Sequence, residues 1–298
     1  MNEDVIGIDI GGTVLKLGRF TQEGHCLETI RLETPQPAIP VAILEAIIPA
    51  ISTLRKQGNC LAVGVGVPGP ADPSKRIAQM AINLPDWLEI PLADWLETET
   101  SLPTVLENDA NCAGLGEQWL GAGRHFKDFL FLTLGTGVGG AIILDNHLFT
   151  GRSGAAGDLG LITLNFTGPP CNSGNRGSLE QYASAQAILR ETDKEPGVWG
   201  ELADAGDAAA IAFWQDYGKT LGAGLASLIY VLTPEAIIIG GGISASCHHF
   251  LPSARREIEY RVQPSTLGNL KLLTAQLGNR AGMIGAAKLA WNLLTQKS

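Results

Sequence analysis

Residues 5–20 read VIGIDIGGTVLKLGRF: an apolar run, a tight Asp9-Ile10-Gly11-Gly12-Thr13 turn, then a second alternating run. A near counterpart, FLFLTLGTGVGGAIILDNHLF, occupies residues 129–149. Both read as glycine-rich hairpins, and glycines at a strand-to-strand turn let backbone N–H groups approach a phosphate that a side chain would block. One such turn constrains little, because ordinary hairpins use the same turn residues. Two, each inside an apolar strand pair and about half a chain apart, point to a duplicated nucleotide-gripping unit.

The chain around them is long enough for two such units, since 298 residues exceed one typical core. Its 37 glycines are about twice the usual share of roughly 7%, which predicts many tight turns or close backbone–ligand approaches. A net charge of -9 with no basic run argues against nucleic acid as a partner. An anionic nucleotide held by backbone amides and a metal ion stays compatible with it. The acidic start lacks the positive region of a signal peptide, and no apolar run approaches membrane-spanning length, so a cytoplasmic protein is expected. Cys26, Cys60, Cys112, Cys171 and Cys247 are scattered with no Cys-x-x-Cys pair, which predicts reduced thiols.

Periodicity places strands near 5–9, 14–20 and 25–32, a helix over 40–57, and a buried strand in CLAVGVGVPGP, ended by Pro68-Gly69-Pro70. After an irregular stretch, INLPDWLEIPL reads as a loop with a short element, 93–100 as a short helix, and TVLEND as a strand running into a turn. A helix follows from about Ala110 to Gly121. Residues 151–178 form the longest loop-like stretch, a kind of connection that is more often functional than idle. Helices are expected near 179–191 and 207–232, the latter carrying Trp214, Tyr217, Leu221, Leu225, Leu228 and Leu232 as a core stripe. A buried strand then runs into Gly240-Gly241-Gly242, and a last strand near 270–276 precedes a helix over 281–295. Strands alternating with helices make an α/β protein with mainly parallel sheets, to which the hairpins add antiparallel strands.

The Asp9-x-Gly11-Gly12-Thr13 turn is either a plain hairpin turn or a set of N–H and hydroxyl donors for a terminal phosphate. In the second reading Asp9 holds Mg²⁺ through water. It is not a Rossmann fingerprint, since its glycines join strand to strand, and no Walker A sequence occurs. The second turn, Gly135-Thr136-Gly137-Val138-Gly139-Gly140, raises the weight of the phosphate reading. Asn108-Asp109 follows a strand and precedes a helix. These residues are either a helix cap or a carboxylate placed to accept a hydroxyl proton beside an amide for a sugar. Asp158 and Glu180 flank the long loop, and their spacing alone says only that they are solvated. Cys112 reads as a small buried hydrophobe rather than a nucleophile.

These segments, in this order, resemble the ROK family of bacterial sugar kinases and repressors, within the actin-like ATPase superfamily. The resemblance is carried by IGIDIGGTVLKLG, VGVGVPGPAD, INLPDWLEIPL, LENDANCAGLGEQWLGAG, LTLGTGVGGAIILDN, LTPEAIIIGGGIS and GNRAGMIGAA, over nearly the full chain. It implies a two-lobed actin-like ATPase (ribonuclease H-like) α/β fold with a central cleft. The expected division is an N-terminal lobe over 1–116 and a larger C-terminal lobe over 117–283, with the helix at about 284–298 packing back on the first. By the resemblance, ATP phosphates bind between the hairpins through Asp9, Gly11, Gly12, Thr13, Lys16, Gly135, Thr136, Gly137 and Gly139. Gly240, Gly241 and Gly242 lie against the adenosine. Asp109 becomes the general base toward a sugar hydroxyl, and Asn83, Asn108, Asp158 and Glu180 become sugar contacts.

The long loop departs from the family pattern. Family members carry Glu-x-Gly-His followed by Cys-x-Cys-Gly-x-x-Gly-Cys-x-Glu, whose His and three Cys hold zinc. Here the segments are Asp158-Leu159-Gly160-Leu161 and Cys171-Asn172-Ser173-Gly174-Asn175-Arg176-Gly177-Ser178-Leu179-Glu180. A lone thiol does not make a four-ligand site, so no zinc is expected. Leu161 also removes a ring nitrogen from the sugar contacts, where hydrogen-bond donors and acceptors set specificity. The expectation is an ATP- and Mg²⁺-dependent hexose kinase, glucokinase-like and homodimeric by analogy. A kinase for fructose, mannose or an amino sugar, or a sugar-sensing regulator of the same family, is the alternative. Repressor members carry an N-terminal DNA-binding helix-turn-helix, and a first strand starting by Val5 leaves no room for one, so regulation would act through a partner.

Overall fold

The computed structural model describes residues 3–81 and 84–295. The chain divides into two compact units. Unit 1 comprises residues 1–124, 148–156 and 279–298, and unit 2 comprises 125–147 and 157–278.

Unit 1 begins with β1 (Glu3–Ile10), β2 (Val14–Phe20), β3 (Cys26–Glu33), α1 (Pro40–Arg55) and β4 (Asn59–Val67). It continues through a small hairpin, β5 (Ala78–Met80) and β6 (Leu88–Ile90), to α2 (Leu92–Thr100), β7 (Thr104–Asn108) and α3 (Asp109–Leu120). Its sheet runs in the order β3-β2-β1-β4-β7. The β1–β2 and β2–β3 pairs are antiparallel, whereas β1–β4 and β4–β7 are parallel. The apolar runs of β1 and β4 are buried almost throughout, as expected of strands covered on both faces.

Unit 2 contains β8 (Phe129–Leu134), β9 (Val138–Leu144), β10 (His147–Leu148), α4 (Glu180–Ala183), α5 (Ala185–Thr192), α6 (Pro196–Asp204) and α7 (Ala208–Leu232). It ends with β11 (Ala236–Gly240), α8 (Cys247–Arg261), α9 (Pro264–Leu267) and β12 (Lys271–Thr274). Its sheet order, β10-β9-β8-β11-β12, repeats that of unit 1 strand for strand. An antiparallel hairpin again adjoins parallel neighbours. The expected stripe on α7 is observed: Trp214, Tyr217, Leu221, Leu225 and Leu228 are buried in the core of unit 2.

The last helix, α10 (Ala281–Thr295), belongs to unit 1 and packs on β1, β2, β4, β7 and α3. Glycine makes this contact possible. A Cβ on Gly64 of β4 would lie 1.8 Å from the Ala286 carbonyl oxygen, and one on Gly285 would lie 1.6 Å from that of Cys112. Helix backbone therefore rests directly on sheet and helix backbone.

Three local features differ from expectation. The helix expected at 179–191 is two helices, because Ser184 is extended and its hydroxyl accepts from Ala187 N–H as the cap of α5. α6 lies in a stretch assigned no element from sequence, and β5 occupies part of the irregular segment after Pro70, whereas β6 is the short element expected within INLPDWLEIPL. Residues 151–178 are not one loop: 151–156 pack within unit 1, where Gln79 donates to the Ser153 carbonyl at 3.1 Å, and the remainder lies in unit 2.

Candidate active site

In unit 1 the candidate residues collect at the carboxyl edge of the parallel strands, where ligands of open α/β sheets bind. Register puts them there: Asp9 of β1 pairs with Gly66 of β4, and Gly66 with Glu107 of β7. The first glycine turn is fastened from inside. Gly11 N–H donates to Val14 O at 3.2 Å, the Thr34 hydroxyl donates to Gly11 O at 2.6 Å, and Thr34 N–H donates to Thr13 O at 3.0 Å. Among the described residues the Gly12 and Thr13 amides have no protein acceptor, and both residues are exposed. Lys16, the cross-strand partner of Asp9, donates to Asp9 Oδ2 at 2.9 Å. Gly282, in the first turn of α10, lies against the same carboxylate.

Asn108 caps α3: its Oδ1 accepts from Ala110 N–H at 2.9 Å and from Asn111 N–H at 3.0 Å. The cap does not exhaust the side chain. Nδ2 donates to Gly69 O at 3.2 Å and carries a second N–H. Asp109 opens α3 with Oδ1 accepting from Ala110 N–H at 2.7 Å. Sequence reasoning assigned no role to Glu107, Lys75 or Asn111, which build the floor beneath this pair. Glu107 is 1% exposed. It accepts from Lys75 Nζ at 2.8 Å, Asn108 N–H at 3.0 Å and Asn111 Nδ2 at 3.0 Å. Lys75 reaches it from a left-handed turn, φ 59°, and accepts Leu106 N–H at its carbonyl. Asp72 shapes that turn by accepting from the Ser74, Arg76 and Ile77 amides. The Asp72 side chain was the available signal, since an Asp ahead of a Pro-Ser pair favours a turn. Cys112 is fully buried, and burial pushes its thiol well up, as suits an inert packing residue. Asn83 lies outside the described residues.

In unit 2 the second glycine turn closes with Gly135 N–H donating to Gly137 O at 2.9 Å. Thr136 at its tip is exposed. Gly139 pairs with Thr133 across the hairpin. Gly241 has φ 83°, a conformation open to glycine, and a Cβ there would lie 2.3 Å from the Leu134 carbonyl. The Gly240–Gly242 turn therefore abuts the residue from which the second hairpin turn departs, while a Cβ on Gly242 would meet open space.

Glu180 joins the long loop to this turn. Its Oε2 accepts from Val138 N–H at 2.9 Å, and Ala185 N–H, freed by the helix break at Ser184, donates to Gly135 O at 2.7 Å. Asp158 is exposed on one side and crowded on the other. That crowding, and then the charge of Glu180, raises its carboxyl above the ordinary value. Leu161 ends a short turn over Leu159–Leu161 and offers no donor side chain. Hydrogen bonds hold the loop: Asn175 Nδ2 donates to Leu161 O at 2.9 Å, Leu179 N–H to Ile162 O at 2.8 Å, and Cys171 N–H to Asn175 O at 2.8 Å. The Ser173 hydroxyl donates to the Cys171 sulfur at 3.3 Å. Burial raises that thiol, but hydrogen bonds, Ser173's foremost, outweigh it and leave Cys171 below its ordinary value.

Comparison with known proteins adds four findings. A glucokinase from Thermotoga maritima is 34% identical, with 96% of each chain aligned. The xylose repressor of Bacillus spizizenii is 31% identical over 95% of this chain and 76% of its own. The crystal structure of a ROK family glucokinase from Streptomyces griseus in complex with glucose and AMPPNP superposes with a TM-score of 0.84, at 35% identity over 97% of this chain and 99% of that one. The repeated sheet is thus that of the actin-like ATPase fold. The model of the ROK family matches residues 5–292, and the chain belongs to that family.

Proposed function

We propose that the chain is an ATP- and Mg²⁺-dependent sugar kinase that transfers the γ-phosphoryl group to a hexose hydroxyl, with glucose as the leading acceptor. The observation that carries the reading is Asp109, a carboxylate in the first turn of α3 that accepts from Ala110 N–H and directly follows the strand end that Glu107 and Lys75 brace. In this role an Asp109 oxygen takes the hydroxyl proton as the sugar oxygen attacks phosphorus, and the bond to the leaving ADP oxygen breaks. Asn108 Nδ2 orients a neighbouring hydroxyl. The amides of Gly12 and Thr13 and the Thr136 tip meet phosphate oxygens, and Gly241–Gly242 meets the adenosine. Chemistry of this type is mostly positioning and charge neutralisation. Asp9 offers the oxygen donors a hard cation takes through water, and Mg²⁺ bound there would neutralise phosphate charge. The family's zinc does not fit these residues, for its donor positions hold Leu161, Cys171, Ser173 and Ser178, which leaves one thiol. Hydrogen bonding across the loop supports the same reading.

Replacing Asp109 by Ala is expected to lower hexose-dependent ADP release by roughly 10²–10⁴-fold, the usual worth of a general base. Near wild-type turnover would refute the assignment. The repressor likeness and Leu161 favour a second reading, a sugar-sensing protein with weak catalysis. A thermal shift with sugar and ATP·Mg but without turnover would select it.

A further inference from the structure

Outside the candidate active site, α6 and α8 bring three metal-ligating side chains together. His248 Nε2 lies 2.9 Å and His249 Nε2 2.8 Å from the same oxygen, Asp204 Oδ1. One ligand atom from each of the three lies within 4.8 Å of the others. We propose that Asp204, His248 and His249 form a surface site for a borderline divalent transition-metal ion such as Zn²⁺.

The chemistry of the three groups supports it. Two imidazole nitrogens and one carboxylate oxygen suit Zn²⁺, Co²⁺, Ni²⁺ or Cu²⁺ better than Mg²⁺ or Ca²⁺, and leave a fourth position for water. Tetrahedral bonds of about 2.0–2.1 Å separate donor atoms by about 3.4 Å, so each of the two nitrogen–oxygen spacings must open by only about 0.5 Å. Both histidines sit in the first turn of α8, so one short stretch of backbone sets the position of both rings.

The arrangement is also supported from below. A Cβ on Gly200 of α6 would lie 2.6 Å from Ser246 Oγ, so α6 packs closely on the segment that leads into α8. The His249 side chain is only 16% exposed and is thereby positioned, whereas His248 and Asp204 are open to an arriving ion at 60% and 61%. The two rings lie 3.9 Å apart, tilted by 43°, with both Nε2 atoms directed to one oxygen. None of these residues belongs to the proposed nucleotide or sugar sets, so the site stands apart from the kinase reading.

The test is calorimetric titration of chelator-stripped protein with Zn²⁺ near neutral pH, beside Co²⁺ absorption spectra and the variants His249→Ala and Asp204→Asn. One Zn²⁺ per chain is expected, bound at least about tenfold more weakly by either variant. The Co²⁺ spectrum should lack a thiolate charge-transfer band. Absence of Zn²⁺ binding, equal affinity in the variants, or a thiolate band that moves the metal to a cysteine would overturn the proposal. Melting curves in chelator check folding, and the near-isosteric Asp204→Asn carries the test if His249→Ala melts early.

Discussion

Lys75 offers a sharp perturbation of the candidate site, because one side chain supports both the charge beneath it and the turn that carries it. Replacing it by Met keeps the stem and removes the ammonium, leaving the Glu107 carboxylate buried without its cation. Breaking a fully buried pair costs about 3–5 kcal/mol, and an exposed pair about 0–1 kcal/mol. With Lys75 32% exposed and Glu107 2% exposed on their side chains, an intermediate cost of about 2 kcal/mol is expected. At about 2–4 °C per kcal/mol for a chain of this size, that is a fall of about 4–8 °C in the melting of unit 1. Two companions sharpen the test. Lys75→Gly loses the same ammonium but relieves a left-handed backbone worth roughly 1 kcal/mol, so it should melt above Lys75→Met. Lys75→Met combined with Glu107→Gln removes both charges and should recover more than half of the loss. Thermal unfolding followed by circular dichroism reads all three. If Lys75→Met melts with wild type, or if the double variant is no better than the single, Lys75 does not neutralise Glu107 as argued.

Two further outcomes follow from the geometry. Gly285→Ala drives a Cβ into the Cys112 carbonyl region and should destabilise unit 1 by roughly 1–3 kcal/mol or more, the usual cost of overpacking, read as a lower melting temperature. Asp158 is raised by crowding and by Glu180, so in the folded chain it holds its proton longer than in the unfolded one, and its contribution to stability falls as pH rises through that interval. Asp158→Asn should therefore raise the melting temperature slightly at neutral pH and not below about pH 4, and a gain that persists in acid would contradict the assigned cause.

Much of this was legible in the sequence. Hairpins around glycine turns, the buried β4 run and the α7 stripe follow from local period and turn chemistry, and the structure keeps them. The Ser184 break was not legible, because Ser is tolerated within helices and the partner that rewards the break is Gly135, about fifty residues away. For the same reason Lys75 passed unnoticed beside Asp109: their link runs through Glu107, and a sequence does not show which lysine reaches a buried carboxylate. The cap reading of Asn108 and its ligand reading proved compatible, since one amide can accept at its oxygen and donate at its nitrogen.

The placement of α10 bears on how the chain is made. The strands of unit 1 are complete by Asn108, but the helix that covers β1, β4 and β7 is encoded from Ala281. At roughly 5–20 residues per second, the intervening stretch takes on the order of 10–30 s to synthesise. Throughout that time the strands lack the helix that α10 supplies to them, while the residues of unit 2 are made. Unit 1 is thus begun first and finished last.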